Sequence, residues 1–262
     1  MGHRITDKAM LVRLNIRQWT GRKLDRSASR ELADVKGAQA DVARVNKDLV
    51  DRDAVKRVSA VATEARDYHY AHTLPWRDDG ARLLPVALFD DYRRAMRRIE
   101  DRFTVAAQEL IDAYDSLRAD APYRLGALFN AADYPTATEI HDRFAFHVAV
   151  DPVPDAGDFR VSLADEELQG IRAEIENRNE KAIADANRDL WDRLHGCVSA
   201  LAERLANGTP DGKPKIFRDS LIQNARDLCG ILPALNVTGD PELARLADEV
   251  RDKLTEIGRA HV

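Results

Sequence analysis

The chain has 262 residues, of which 32% are charged and 6% aromatic, and a formal net charge of −5. That length makes one large domain or two small ones, and that composition favours long solvated helices over a compact sheet protein. The acidic balance excludes a global pull toward nucleic acid or an anionic membrane, two cysteines exclude a disulfide framework, and no apolar run approaches a membrane span.

The N-terminus lacks the apolar stretch of a signal peptide, so a reducing cytoplasm is the expected location and Cys197 and Cys229 are expected as buried free thiols. "MGHRIT" fits a myristoylation pattern, and Asn207 and Asn236 open glycosylation sequons. Patterns this short arise by chance, and no second membrane or secretory signal supports them.

Charge is uneven along the chain: residues 1–36 hold nine Lys/Arg and four Asp/Glu. Within this segment "MLVRLNIRQW" alternates Val12, Leu14 and Ile16 with Arg13, Asn15 and Arg17, the period of a half-buried strand near 10–19. Helical spacing follows over 27–70: first Leu32, Val35, Val42, Val45 and Leu49, then Val55, Val58, Val61, Ala65 and Tyr68. The stripe shifts phase near Asp51–Asp53, which marks a break or kink. A third segment, near 86–119, carries Phe89, Tyr92, Met96, Ile99, Phe103, Ala106, Leu110, Ala113 and Leu117 in alternating steps of three and four. That is a coiled-coil-like seam. "FAFHVAV" and "FRVSL", separated by turn residues, predict a hairpin near 144–163. A long helix over 165–206 and short helices within 215–258 complete the chain, with Asp240 capping the last before Pro241. The expectation is a mainly α, single elongated domain: a long-helix hairpin or coiled-coil-like bundle with a small antiparallel β element. Helices of this length span about 50–65 Å, which suits contact with partners better than enclosing a substrate.

Three places are candidates for chemistry or binding. "YHYAHTLPWRDDGARLLP" joins two long helices. His69 and His72 share a helix face, and with Asp78 or Asp79 they offer a ligand set for zinc or iron and a metal-dependent enzyme. No H-E-x-x-H, nearby Cys or evident general base supports that reading. The stretch reads better as a structured turn in which Trp76 and Leu74 anchor and the prolines stiffen. Its length makes it a docking tip, with Trp76 and Arg77 as partner contacts. Arg13, Arg17, Arg22 and Lys23 are candidate phosphate contacts for a nucleic-acid-binding alternative. "TGRK" lacks the phosphate-loop spacing, and neither G-x-G-x-x-G nor G-x-S-x-G occurs. No catalytic residue, cofactor or metal is expected.

The runs "LNIRQWTGRKLDRS", "ARDYHYAHTLPWRDDGARLLP", "FNAADYPT", "VPDAGDFRVSL" and "IFRDSLIQNARDLCGILPALNVTGDPEL" together resemble an uncharacterised phage and prophage family that carries only a domain-of-unknown-function designation. The resemblance covers nearly the whole chain and transfers no catalytic residue. Members are often encoded near a MoxR-type AAA+ ATPase, which the resemblance implies as a partner. The expected function is that of a non-enzymatic phage-type accessory protein in the host bacterial cytoplasm, acting through protein contacts. A homo-oligomer is the competing use of the seam.

Overall fold

The computed structural model describes residues 5–77, 79–156, 165–206 and 219–260. The protein is mainly helical with a small antiparallel β element. Its contacts divide it into two compact units where the sequence suggested one: unit 1 comprises Met1–Arg13, Tyr68–Arg93 and Val148–Val262, and unit 2 comprises Leu14–Asp67 and Arg94–His147.

In chain order the helices are α1 (Ile5–Lys8), α2 (Arg26–Val35), α3 (Arg52–His72), α4 (Phe89–Leu125), α5 (Ala137–His141), α6 (Asp165–Ala206), α7 (Asp219–Leu235) and α8 (Pro241–Ala260). The strands are β1 (Ala9–Arg17), β2 (Arg22–Asp25), β3 (Val45–Asp48), β4 (Leu74–Pro75), β5 (Arg82–Pro85) and β6 (Ala145–Pro152). One sheet runs β4-β5-β1-β6, and β2 and β3 form a separate pair. The chain passes between the units within β1, α3, α4 and β6.

In unit 1, β5 lies antiparallel to β1 with Leu11 opposite Leu83 and Met10 opposite Leu84, and β4 pairs with β5 through Leu74 opposite Leu83. Pro75 is tolerated because β4 is an edge strand. Helix α6 packs on β4 and α7 on β5, while α6, α7 and α8 pack on one another. Asp240 caps α8 as the sequence predicts, accepting from the backbone amides of Glu242 (3.0 Å) and Leu243 (3.2 Å). Its other oxygen accepts from Trp191 Nε1 on α6 at 3.1 Å, so one carboxylate closes a helix end and ties two helices together. The second strand expected near 159–163 lies outside the described residues.

Unit 2 corrects the helix expected over 27–70. Helix α2 ends at Val35 in a Schellman motif: Gly37 takes φ +61°, Ala38 N donates to Ala33 O (2.8 Å), and Gly37 N donates to Asp34 O (3.1 Å). The chain then returns as β3, which pairs with β2 in the register Arg22–Asp48, Lys23–Lys47, Leu24–Asn46 and Asp25–Val45. Only from Arg52 does α3 begin. The seam on α4 is covered within the chain: Phe103, Ala106 and Leu110 are buried with Val58 and Ala62 of α3. Beside them Leu49, Val50, Tyr114, Ala121, Tyr134 and Ile140 form a second core, in which Tyr134 donates to Leu49 O and Tyr114 to Pro135 O, both at 2.7 Å.

Candidate functional site

The Tyr68–Pro85 stretch lies in unit 1 and is the C-terminal end of α3 followed by the β4–β5 hairpin. A helix ends with carbonyls that lack intrahelical partners, and here two arginines supply donors. Arg193 of α6 donates to Ala71 O (3.2 Å) and Thr73 O (2.9 Å), while Arg82 donates to Thr73 O (3.0 Å) and Thr73 Oγ1 (2.7 Å). Thr73, fully buried, donates a hydrogen bond from its own hydroxyl to His69 O at 2.6 Å. Cations at a helix C-terminus also meet its negative dipole end. Trp76 is buried, and among the described residues its indole nitrogen has no partner; Arg77 beside it is exposed.

His69 is buried with Nδ1 2.7 Å from the Tyr92 hydroxyl. Burial, aided by the charge of Arg82, pushes its pKa down to about 4, so the ring is neutral near pH 7. His72 Nδ1 donates to Tyr68 O at 2.9 Å, its ring stacks on Tyr68 at 3.8 Å, and burial holds its pKa below the usual value. Asp79 accepts from Ala81 N at 3.0 Å within the turn, and Asp78 lies outside the described residues. Among the described residues no three His, Cys, Asp or Glu side chains converge on a point that would hold a metal ion.

The four basic residues nominated by the sequence separate. Arg13 belongs to unit 1 and pairs with Asp151 at 2.7 Å. Arg17, Arg22 and Lys23 line one cleft of unit 2, about 540 Å³, together with Trp19, Tyr134 and Arg143. An adjoining cleft of about 410 Å³ shares Thr20 and Arg22 and adds Arg52, Lys56 and Ser59. In this second cleft Asp48 accepts from Arg22 Nε (2.9 Å) and Arg52 Nε (2.7 Å). These two guanidinium groups, Arg52 first, hold the Asp48 carboxyl below its ordinary pKa.

A third cleft, which shares Lys23 and Asp133 with the first, contains a residue that the sequence reading does not single out. Lys47 is buried and its ammonium donates to Asp25 (2.8 Å), Asp133 (2.7 Å) and Leu128 O (2.7 Å), which satisfies all three of its protons. Burial works against the charged amine, but the bonds to Asp133 and Asp25 outweigh it and hold the pKa above that of ordinary lysine. Lys23 pairs with the same Asp133 at 2.8 Å. The signal was present: Val45, Lys47 and Leu49 alternate, which puts a lysine on the inward parity of a strand.

Unit 2 also leaves large apolar side chains in solvent between residues 24 and 42: Leu24 is 41% exposed, Leu32 42%, Val35 75% and Val42 67%. Leu32 and Val35 are three apart on α2 and so share a face. Among the described residues no helix is long and apolar enough to cross a membrane. Comparison with protein-family models, with curated proteins and with solved structures found nothing that matches the chain.

Proposed function

We propose that the protein is a non-enzymatic accessory protein that acts through protein contacts, made by the β2–α2–β3 segment of unit 2. The observation that supports this reading is the concentration of exposed apolar side chains there, above all Val35 and Val42, each at least two-thirds exposed. Single exposed apolar residues are ordinary, whereas clustered ones rimmed by charge mark interaction surfaces. The same segment also exposes the charged residues Arg26, Arg30, Glu31, Asp34 and Lys36. The histidines offered by the sequence for metal chemistry are engaged instead in the packing of the α3 terminus.

The partner proposed is a MoxR-type AAA+ ATPase, on the family resemblance of the sequence, and the setting is a bacterial cytoplasm. Isothermal titration of the full chain with such an ATPase tests the reading. Binding is expected, and Leu32→Glu/Val35→Glu is expected to weaken it by about tenfold or more at unchanged melting temperature, since charge in an interface centre is strongly disfavoured. Wild-type affinity in that variant, or no complex with the wild-type chain, contradicts it.

A further inference from the structure

We propose that unit 2 binds the sugar–phosphate backbone of a nucleic acid through Arg22 and Arg52, a pair of guanidinium groups braced on Asp48. The proposal does not rest on the protein-contact reading: Arg22 and Asp48 belong to the same β2–β3 pair, but none of the exposed apolar side chains of that reading enters it.

The geometry of the pair carries the argument. Arg22 opens β2 and Arg52 opens α3, and both reach the same carboxylate, one at each oxygen. Each bond is made by Nε. Among the described residues the Nη nitrogens of both side chains make no hydrogen bond. A guanidinium held by Nε keeps its outer N–H groups for a second anion, and the planar fork matches phosphate oxygens. The arginine side chains are 54% and 72% exposed and the carboxylate only 24%. The brace therefore lies inward of the two forks in accessibility, and two positive charges are held together on one negative charge.

The surroundings suit a phosphate. Thr20, Lys56 and Ser59 line the same cleft and add two hydroxyls and an ammonium, the last 3.9 Å from the exposed carboxylate of Asp53. Gly21 lines it without a side chain, at φ +63°, where a Cβ would come within 3.0 Å of Val50. The cationic lining then continues through shared Arg22 and Thr20 into the neighbouring cleft, with Arg17, Lys23 and Arg143. The acids on that side are occupied by the fold: Asp133 holds Lys23 and Lys47, and Glu139 accepts from the Thr136 amide in a capping box. Arg17 makes no ion pair among the described residues. One phosphate would need one cleft. Two adjoining clefts with a shared arginine fit a polymer of repeating phosphates, which favours nucleic acid over a phosphopeptide or free phosphate.

Fluorescence anisotropy of the full chain with a labelled oligonucleotide, single-stranded and duplex, tests this. Binding of at least one form is expected, falling with salt by roughly 0.7–0.9 log–log slope units per phosphate contacted. Arg22→Ala/Arg52→Ala is expected to weaken it about tenfold or more and to lower the slope by about two. Arg102→Ala removes a charge in the same unit, on a residue paired with Glu64 and lining neither cleft, and is expected to leave affinity within about twofold. Asp48→Ala separates a built site from diffuse charge by sign. It makes the protein more positive, so diffuse attraction would rise, whereas loss of the brace lowers affinity. The proposal is overturned by absence of binding of both forms at low salt, by equal losses in Arg102→Ala and the double variant, by tighter binding in Asp48→Ala, or by preference for inorganic phosphate or a phosphopeptide over the oligonucleotide.

Discussion

His69 Nδ1 and the Tyr92 hydroxyl lie 2.7 Å apart, with both residues buried in unit 1. Burial also pushes the Tyr92 hydroxyl pKa up, so both groups are neutral and a single proton joins them. Tyr92→Phe leaves the imidazole nitrogen unpaired and is expected to cost about 1–3 kcal/mol in urea melts at pH 7. The pH dependence has a definite sign. An unfolded chain protonates this histidine below its ordinary value of 6.5, and the folded chain only below about 4. The unfolded state therefore binds more protons in that window, and stability falls as the pH drops from about 6.5 to about 4, by an amount on the order of 3 kcal/mol. His69→Gln is expected to make that fall shallower.

Lys47 joins the β2–β3 pair to the segment after α4 by contacting Asp25, Asp133 and Leu128 O. Lys47→Met leaves two carboxylates without their shared cation in a poorly solvated place, and breaking such an arrangement costs about 3–5 kcal/mol. The companion variant Lys47→Met/Asp25→Asn/Asp133→Asn removes the charges together and is expected to recover part of the loss. Thermal melts of the two variants check this. The bonds from Lys47 also hold Asp25 below its ordinary pKa, and those from Lys23 and Lys47 do the same for Asp133 against burial. Both carboxylates add stability that is present above the usual carboxylate pKa and lost as pH falls through their lowered values.

Trp76 and Arg77 are adjacent in sequence and opposite in burial, the indole at 6% exposure and the arginine exposed. Trp76→Ala is expected to lower stability by about 3–5 kcal/mol, the cost of deleting a buried aromatic side chain. Arg77→Glu is expected to change it by less than about 0.5 kcal/mol. Chemical denaturation of both variants measures the difference.

The sequence shows the long helices because their apolar positions keep one period over many turns, as in Phe89–Leu117 on α4 and Leu168–Leu201 on α6. It hides the β2–β3 pair because Leu32, Val35, Val42, Val45 and Leu49 satisfy helical steps, while Val45, Lys47 and Leu49 equally satisfy a strand. Gly37 was the available arbiter, since a helix of that length would have to carry it internally. The sequence of β4 and β5 reads as a structured turn stiffened by Pro75 and Pro85, since proline disfavours a strand except at a sheet edge or a strand end, where these two lie. Of the residues lining the two clefts, Arg17, Arg22 and Lys23 are legible in the sequence as a basic cluster. Arg52, Lys56 and Arg143 are not, because they reach the same clefts from distant parts of the chain.

Hydrogen–deuterium exchange of the full chain, free and with a MoxR-type AAA+ ATPase at saturating concentration, tests the protein-contact account most directly. The account expects slower exchange in peptides covering residues 24–42, where Leu24, Leu32, Val35 and Val42 are exposed in the free chain. Complex formation with no change in that segment would contradict it.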